Sequence, residues 1–146
     1  MSSKKDGLQI KDNVRIILRG PDGKVKHEST HNLVTTAGLA GAADQLLAAP
    51  TLNKPTHMAI GTGTPAATLL GAEIDRNALT SKTRLGSVVT MVADWAAGDG
   101  TGAISEAGVF DNGVANTINM YMSASFAVVN KLAADSLSIQ WTLTFT

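Results

Sequence analysis

The sequence predicts a mainly β fold, an antiparallel β-sandwich or jelly-roll-like domain with one short α-helix and an extended N-terminal arm. Three observations carry this. At the C-terminus Leu137, Ile139, Trp141, Leu143 and Phe145 alternate without a break against Ser138, Gln140, Thr142, Thr144 and Thr146, the period of a strand with one buried face. Apolar-alternating runs are separated throughout by clusters of Gly, Pro, Asn and Asp, the punctuation of an all-β chain. Only one stretch, Thr35 to Ala48, switches to a helical period.

Taken in order, residues 1–12 read as a polar arm ahead of a single domain, 13–146. Val14, Ile16 and Leu18 alternate with Arg15, Ile17 and Arg19 as one strand of a hairpin over 13–32. Gly20-Pro21-Asp22-Gly23 supplies its turn, and the polar returning strand from Lys24 to Asn32 suits a sheet edge. Residues 35–48 form the helix, capped by Thr35 or Thr36, with Leu39, Ala42, Ala43, Leu46 and Leu47 on one face. Gly38 and Gly41 suit a helix lying close to a sheet, and Pro50 and Pro55 end it.

The strand-rich body covers 56–146. Thr56 to Gly61 is a short strand, Thr62 to Ala67 a loop, and Ala66 to Arg76 a helical turn. Leu79 to Trp95 reads as one long strand broken near Gly86, followed by a loop at Gly98–Gly102. Ala103 to Phe110 is a strand, Asp111-Asn112-Gly113 a hairpin signal, and Asn119 to Val129 a strand with Met120, Met122, Ala124, Phe126 and Val128 on one face. The total is seven or eight strands and one helix.

Composition narrows the class. Charged residues are 16% of the 146, below the roughly 25% usual for soluble domains, which points to surface buried in an assembly. Net charge is zero, yet residues 1–31 hold seven basic groups against four acidic ones, leaving the remainder at −3. No dense basic patch with interleaved aromatics indicates a nucleic-acid partner. There is no cysteine, so disulfide and thiolate chemistry do not arise. No apolar run approaches the roughly 20 residues of a membrane span, and no secretory signal follows Met1.

The chemical motifs are weak. Gly61-Thr62-Gly63-Thr64-Pro65-Ala66 matches G-x-G-x-x-A, but Pro65 and the absence of a βαβ unit make it a turn, not a dinucleotide loop. His27 and His31 share a strand face without a third ligand, and His57 stands alone among apolar neighbours; no metal or other cofactor is expected. Asp94, Asp99, Glu106 and Asp111 match neither a calcium loop nor a catalytic pair. Ser87 and Ser105 lie in no nucleophile elbow. The chain is read as a non-enzyme. Trp95, next to the glycine loop, is the candidate exposed platform for a sugar-binding alternative, whereas Trp141 falls on a buried face.

Four segments carry a family resemblance. They are His31-Asn32-Leu33-Val34-Thr35-Thr36-Ala37-Gly38, Ile60-Gly61-Thr62-Gly63, Leu69-Leu70-Gly71-Ala72-Glu73-Ile74-Asp75-Arg76, and Glu106-Ala107-Gly108-Val109-Phe110-Asp111. In this order they resemble the "hNlVtxaG", "I-G-x-G", "L-x-x-E-x-x-R" and "E-x-G-[LV]-F-D" segments of tailed-bacteriophage virion proteins. The resemblance covers residues 31 to 146. It implies a capsid decoration (cement) protein, made in the host cytoplasm and carried on the outer capsid surface of the virion, where such proteins are often trimeric and stabilise the shell. On that reading the partners are a second and third copy and the major capsid protein. The basic residues Lys4, Lys5, Lys11, Arg15, Arg19, Lys24 and Lys26 would meet the capsid. The same E-x-G-[LV]-F-D pattern occurs in tail-fibre and collar proteins, so the competing placement is a tail-fibre, collar or baseplate-associated structural protein.

Overall fold

The computed structural model describes residues 9–31 and 36–146 and is the antiparallel β-sandwich that the sequence predicts. In chain order the elements are β1 (Ile10–Arg19), β2 (Val25–His31), α1 (Thr36–Asp44), β3 (His57–Gly61), β4 (Glu73–Ala78), β5 (Ser81–Leu85), β6 (Val88–Trp95), β7 (Gly102–Phe110), β8 (Met120–Lys131) and β9 (Ser136–Phe145). One sheet has the order β2-β1-β9-β6-β5, the other β4-β3-β7-β8. Four hairpins, two to a sheet, supply eight strands, and β9 is inserted between β1 and β6 as the centre of the larger sheet. The layers meet with β8 against β1 and β2, and β4 against β6.

The core follows from alternation. β1 contributes Val14, Ile16 and Leu18, β9 contributes Leu137, Ile139 and Trp141, and β6 contributes Met91, Ala93 and Trp95. From the other sheet come Met58 and Ile60 of β3, Ile104, Ala107 and Val109 of β7, and Met122, Ala124, Phe126 and Val129 of β8. Trp141 directs its Nε1–H to the buried Asp12 carboxylate at 3.0 Å. Trp95, also fully buried, has an Nε1–H without a partner among the described residues. The β1–β2 turn forms at Gly20 to Gly23, with Gly23 at φ 78° and the Asp22 carboxylate accepting the Lys24 N–H at 3.0 Å.

Several expectations are corrected. Residues 10–12, expected in the arm, belong to β1, because Ile10, Lys11 and Asp12 pair with Phe145, Thr144 and Leu143; residues 1–8 lie outside the described residues. The helix stops at Asp44, short of residue 48, where the Asp44 carboxylate accepts from Thr51 N, Thr51 Oγ1 and Leu52 N at 3.1, 2.7 and 2.8 Å. Its leucine face is not inward: Leu39 is exposed, as are Leu46 and Leu47 beyond its end. The Thr35 cap lies outside the described residues. No helical turn forms over 66–76; the segment ends in β4, registered on β3 from Ala59↔Arg76 to His57↔Ala78. The run from Leu79 to Trp95 is a complete hairpin, turning at Gly86 with φ 56°. Asp111-Asn112-Gly113 opens a longer loop to Asn119, because Asn112 Oδ1 accepts from Val114 N and Thr117 Oγ1, both at 2.9 Å. On β8 the register slips opposite Val109–Phe110, so Met120 joins Phe110 on the opposite face from Met122, Ala124 and Phe126. It slips again opposite Ile104–Glu106, so Val129 is buried and Val128 is 54% exposed.

Candidate functional site

Three of the four segments that carry the family resemblance, 60–63, 69–76 and 106–111, meet on the outer face of the smaller sheet, whereas residues 32–35 of the first, 31–38, lie outside the described residues. Ala59 and Gly61 are small, so the chain from Thr62 to Ala72 lies directly on the strands, and Gly108 leaves room for the Met120 and Phe110 side chains. A Cβ at Gly61 would overlap the Glu106 carboxylate and approach Ala72 O to 2.6 Å. Glu106, fully buried, accepts backbone N–H bonds from Gly63 at 3.1 Å, Gly71 at 2.8 Å and Ala72 at 2.7 Å. Ser105 Oγ donates to Gly63 O at 2.7 Å. One carboxylate thus replaces the water that three loop amides would otherwise need.

Beside it, Arg76 and Glu73 form a two-point ion pair at 2.6 and 3.1 Å, each side chain 2% exposed. The guanidinium lies 3.7 Å above the centre of the Phe110 ring, a cation–π arrangement. Its remaining Nη1–H groups reach Asn112 O and Thr117 Oγ1, both at 3.1 Å, tying the 111–119 loop to β4. Leu70, Ala59, Phe110 and Met120 form a small apolar cluster underneath. The glycine loop therefore has its Gly63 amide already occupied by Glu106, which leaves it no cradle for a phosphate.

The other singled-out carboxylates serve separate loops. Asp94 accepts from Thr80 Oγ1 at 2.6 Å, and Asp111 accepts from Asn112 Nδ2 at 2.7 Å. Asp99 is exposed on the β6–β7 loop. Among the described residues no three His, Asp or Glu side chains group to hold a metal ion. His27 Nε2 lies 3.1 Å from Ser29 Oγ, and His57 Nδ1 lies 2.8 Å from Thr56 Oγ1; the His31 side chain is outside the described residues. Ser87 belongs to the β5–β6 turn, where its carbonyl accepts from Phe145 N at 3.0 Å. Trp95 is fully buried, which corrects its expected exposure: the loop after it folds back, placing Gly100 against its ring.

Sequence reasoning missed four buried charged groups with structural partners: Asp12 and Asp44, described above, and Lys131 and Asp135. Lys131 is 1% exposed and donates to Ala96 O at 3.0 Å, holding the β6–β7 loop. Burial pulls its pKa down, against the pull of Asp135, Asp99 and Asp75. Asp135 joins the β8–β9 turn to β2 through Lys26 at 2.7 Å, and that bond holds its carboxyl below the ordinary value. Neither Lys131 nor Asp135 lies in a recognisable motif.

Of the expected capsid-facing residues, Lys4 and Lys5 lie outside the described residues. Lys11, Arg15 and Arg19 form one row on the outward face of β1. Arg15 pairs with Glu28 at 2.7 Å, and Arg19 donates to Gly23 O at 3.2 Å. Lys24 and Lys26 flank the hairpin. Burial also changes the balance of charge. Lys11, Arg15, Arg19, Lys24, Lys26, Lys54, Lys82 and Arg84 are exposed, against Asp22, Glu28, Asp94 and Asp99. A formally neutral chain therefore presents a basic described surface, because most body carboxylates are consumed internally. All five residues of β5 are exposed, with Leu85 at 86%. Comparison with protein-family models, curated proteins and solved structures found no match.

Proposed function

We propose that this chain is a structural protein of a tailed-bacteriophage virion, of the capsid decoration type, acting by contact and not by catalysis. The observation that carries the reading is the convergence of three resemblance segments, I-G-x-G, L-x-x-E-x-x-R and E-x-G-V-F-D, in one buried knot around Glu106 and Arg76. Residues far apart in sequence that share one framework are what a family-wide scaffold requires. The basic surface supports an acidic partner surface. Such a protein stabilises a shell because it binds the assembled form.

Co-sedimentation with purified heads tests this. Wild-type protein is expected to saturate a fixed number of sites, and Lys11→Glu/Arg19→Glu/Lys24→Glu to weaken binding by about tenfold or more at low salt, less at high salt. Light scattering should give three copies per particle. Binding only to tails would favour the tail-fibre or collar placement. Failure to bind either particle would remove the virion reading. A sugar-binding module is less well supported, since Trp95 and Trp141 are both fully buried and provide no stacking surface.

A further inference from the structure

A cavity of about 260 Å³ lies at the end of the sandwich where β1 begins and β9 finishes. Its floor is the inner face of the larger sheet: Ile10, Val89, Leu143 and Phe145, all half-buried. Deeper along the same rows, Val14, Met91 and Trp141 are closed off to 1% exposure or less. The roof is α1, and the reversed orientation of this helix creates the space. It turns Gly38, Gly41 and Ala42 inward and leaves Leu39 half exposed on the outside. A Cβ at Gly41 would come to 3.4 Å from the Tyr121 ring, so the ring closes that side of the cavity, and Gly38 and Ala42 carry too little side chain to fill the rest. The pocket opens to solvent on one side, and an apolar concavity with a few polar groups at its mouth is the usual form of a small-molecule site.

The rim has a different chemistry. Lys54 and Lys82 stand at it, with the amides of Gln45 and Asn53, and no Asp or Glu lines the cavity among the described residues. Lys82 Nζ is held in place by Pro55 O at 2.7 Å. A volume just below the roughly 300–1,000 Å³ of ordinary ligand pockets suits a short tail and not a long acyl chain. We propose that this cavity binds a medium-chain aliphatic monocarboxylate, its tail between α1 and the β9–β6 floor and its carboxylate between Lys54 and Lys82. The proposal rests on the cavity's own lining and does not depend on the virion reading.

Calorimetric titration of the full chain with decanoate, below its micelle concentration, and with decanol tests the assignment. One saturable decanoate site per chain is expected. Lys54→Met/Lys82→Met should weaken decanoate about tenfold or more while leaving decanol unchanged. Ala42→Leu, which puts a side chain into the void, should abolish binding of both and melt no lower than wild type. Absence of saturable decanoate binding overturns the proposal, as does undiminished binding to folded Ala42→Leu. Decanoate affinity unaltered in the lysine variant overturns the carboxylate assignment. If Ala42→Leu does not fold, methyl shift mapping decides: changes at Met91 and Met122 support the cavity, and changes confined elsewhere overturn it.

Discussion

Glu106 shows how much one side chain can organise. Its three donors lie 34 to 43 residues earlier in the chain, so its role as a loop carboxylate is readable from its neighbours but its partners are not. Leaving buried N–H groups unpaired costs roughly 1–3 kcal/mol each. Glu106→Ala is therefore expected to destabilise by about 3–5 kcal/mol in urea unfolding. Glu106→Gln should lose only about 1–2 kcal/mol: Gly63 and Ala72 share Oε1, which a carboxamide oxygen replaces, while its NH₂ would oppose Gly71 N–H. Equal losses for the two variants would mean that the bonds contribute little. Trp95 is the converse case. Its place beside a glycine-rich loop signals exposure, yet that loop folds back and covers it, which no local pattern encodes.

At the scale of elements, period gave existence and neighbours gave orientation. β9, and β1 from Val14 onward, are legible because one face of each is apolar at every second residue, whereas β7 is legible from its length and the turn residues that bound it. α1 is legible as a helix but not in orientation, since glycine and alanine face the sheet and leucine faces out. β8 slips register against β7 twice: Met120 joins the outer cluster while Met122, Ala124 and Phe126 face the core, and beyond the second slip the buried residue moves from Val128 to Val129. The end of α1 is fixed by a tertiary clasp, the Asp44 carboxylate on Thr51 and Leu52. Asp44→Ala should release that connection. Hydrogen exchange is expected to accelerate at residues 45–52 and to stay unchanged in β1, β7 and β9; uniform acceleration across the sheets would contradict a local role.

For the whole molecule, carboxylates are the acid-sensitive joints. Asp135 and Asp44 both titrate below the ordinary 3.8, Asp135 chiefly through the Lys26 hydrogen bond and Asp44 chiefly through the Leu52 N–H. A depressed folded value means that the unfolded chain takes up protons first. Their stabilisation is complete above pH 3.8 and is lost as pH falls below it. Unfolding midpoints measured in urea from neutral pH downward should drop on that acid limb. The drop should be shallower in Asp44→Asn/Asp135→Asn, whose stability at neutral pH is already lower. An identical acid limb in the double variant would assign the sensitivity to other groups.

By itself the sequence determined that this protein is an antiparallel β-sandwich with a hairpin first and an amphipathic strand last, because alternation and turn chemistry are local properties of the chain. It also determined that the glycine loop at Gly61 makes a turn. Only the tertiary structure decided the strand order, with β9 between β1 and β6. The same holds for the inward turn of the small face of α1, the cavity beneath it, and the consumption of acidic residues that leaves a basic surface. Each of these depends on what a residue meets across the fold, and pairing between distant segments leaves no period in the sequence.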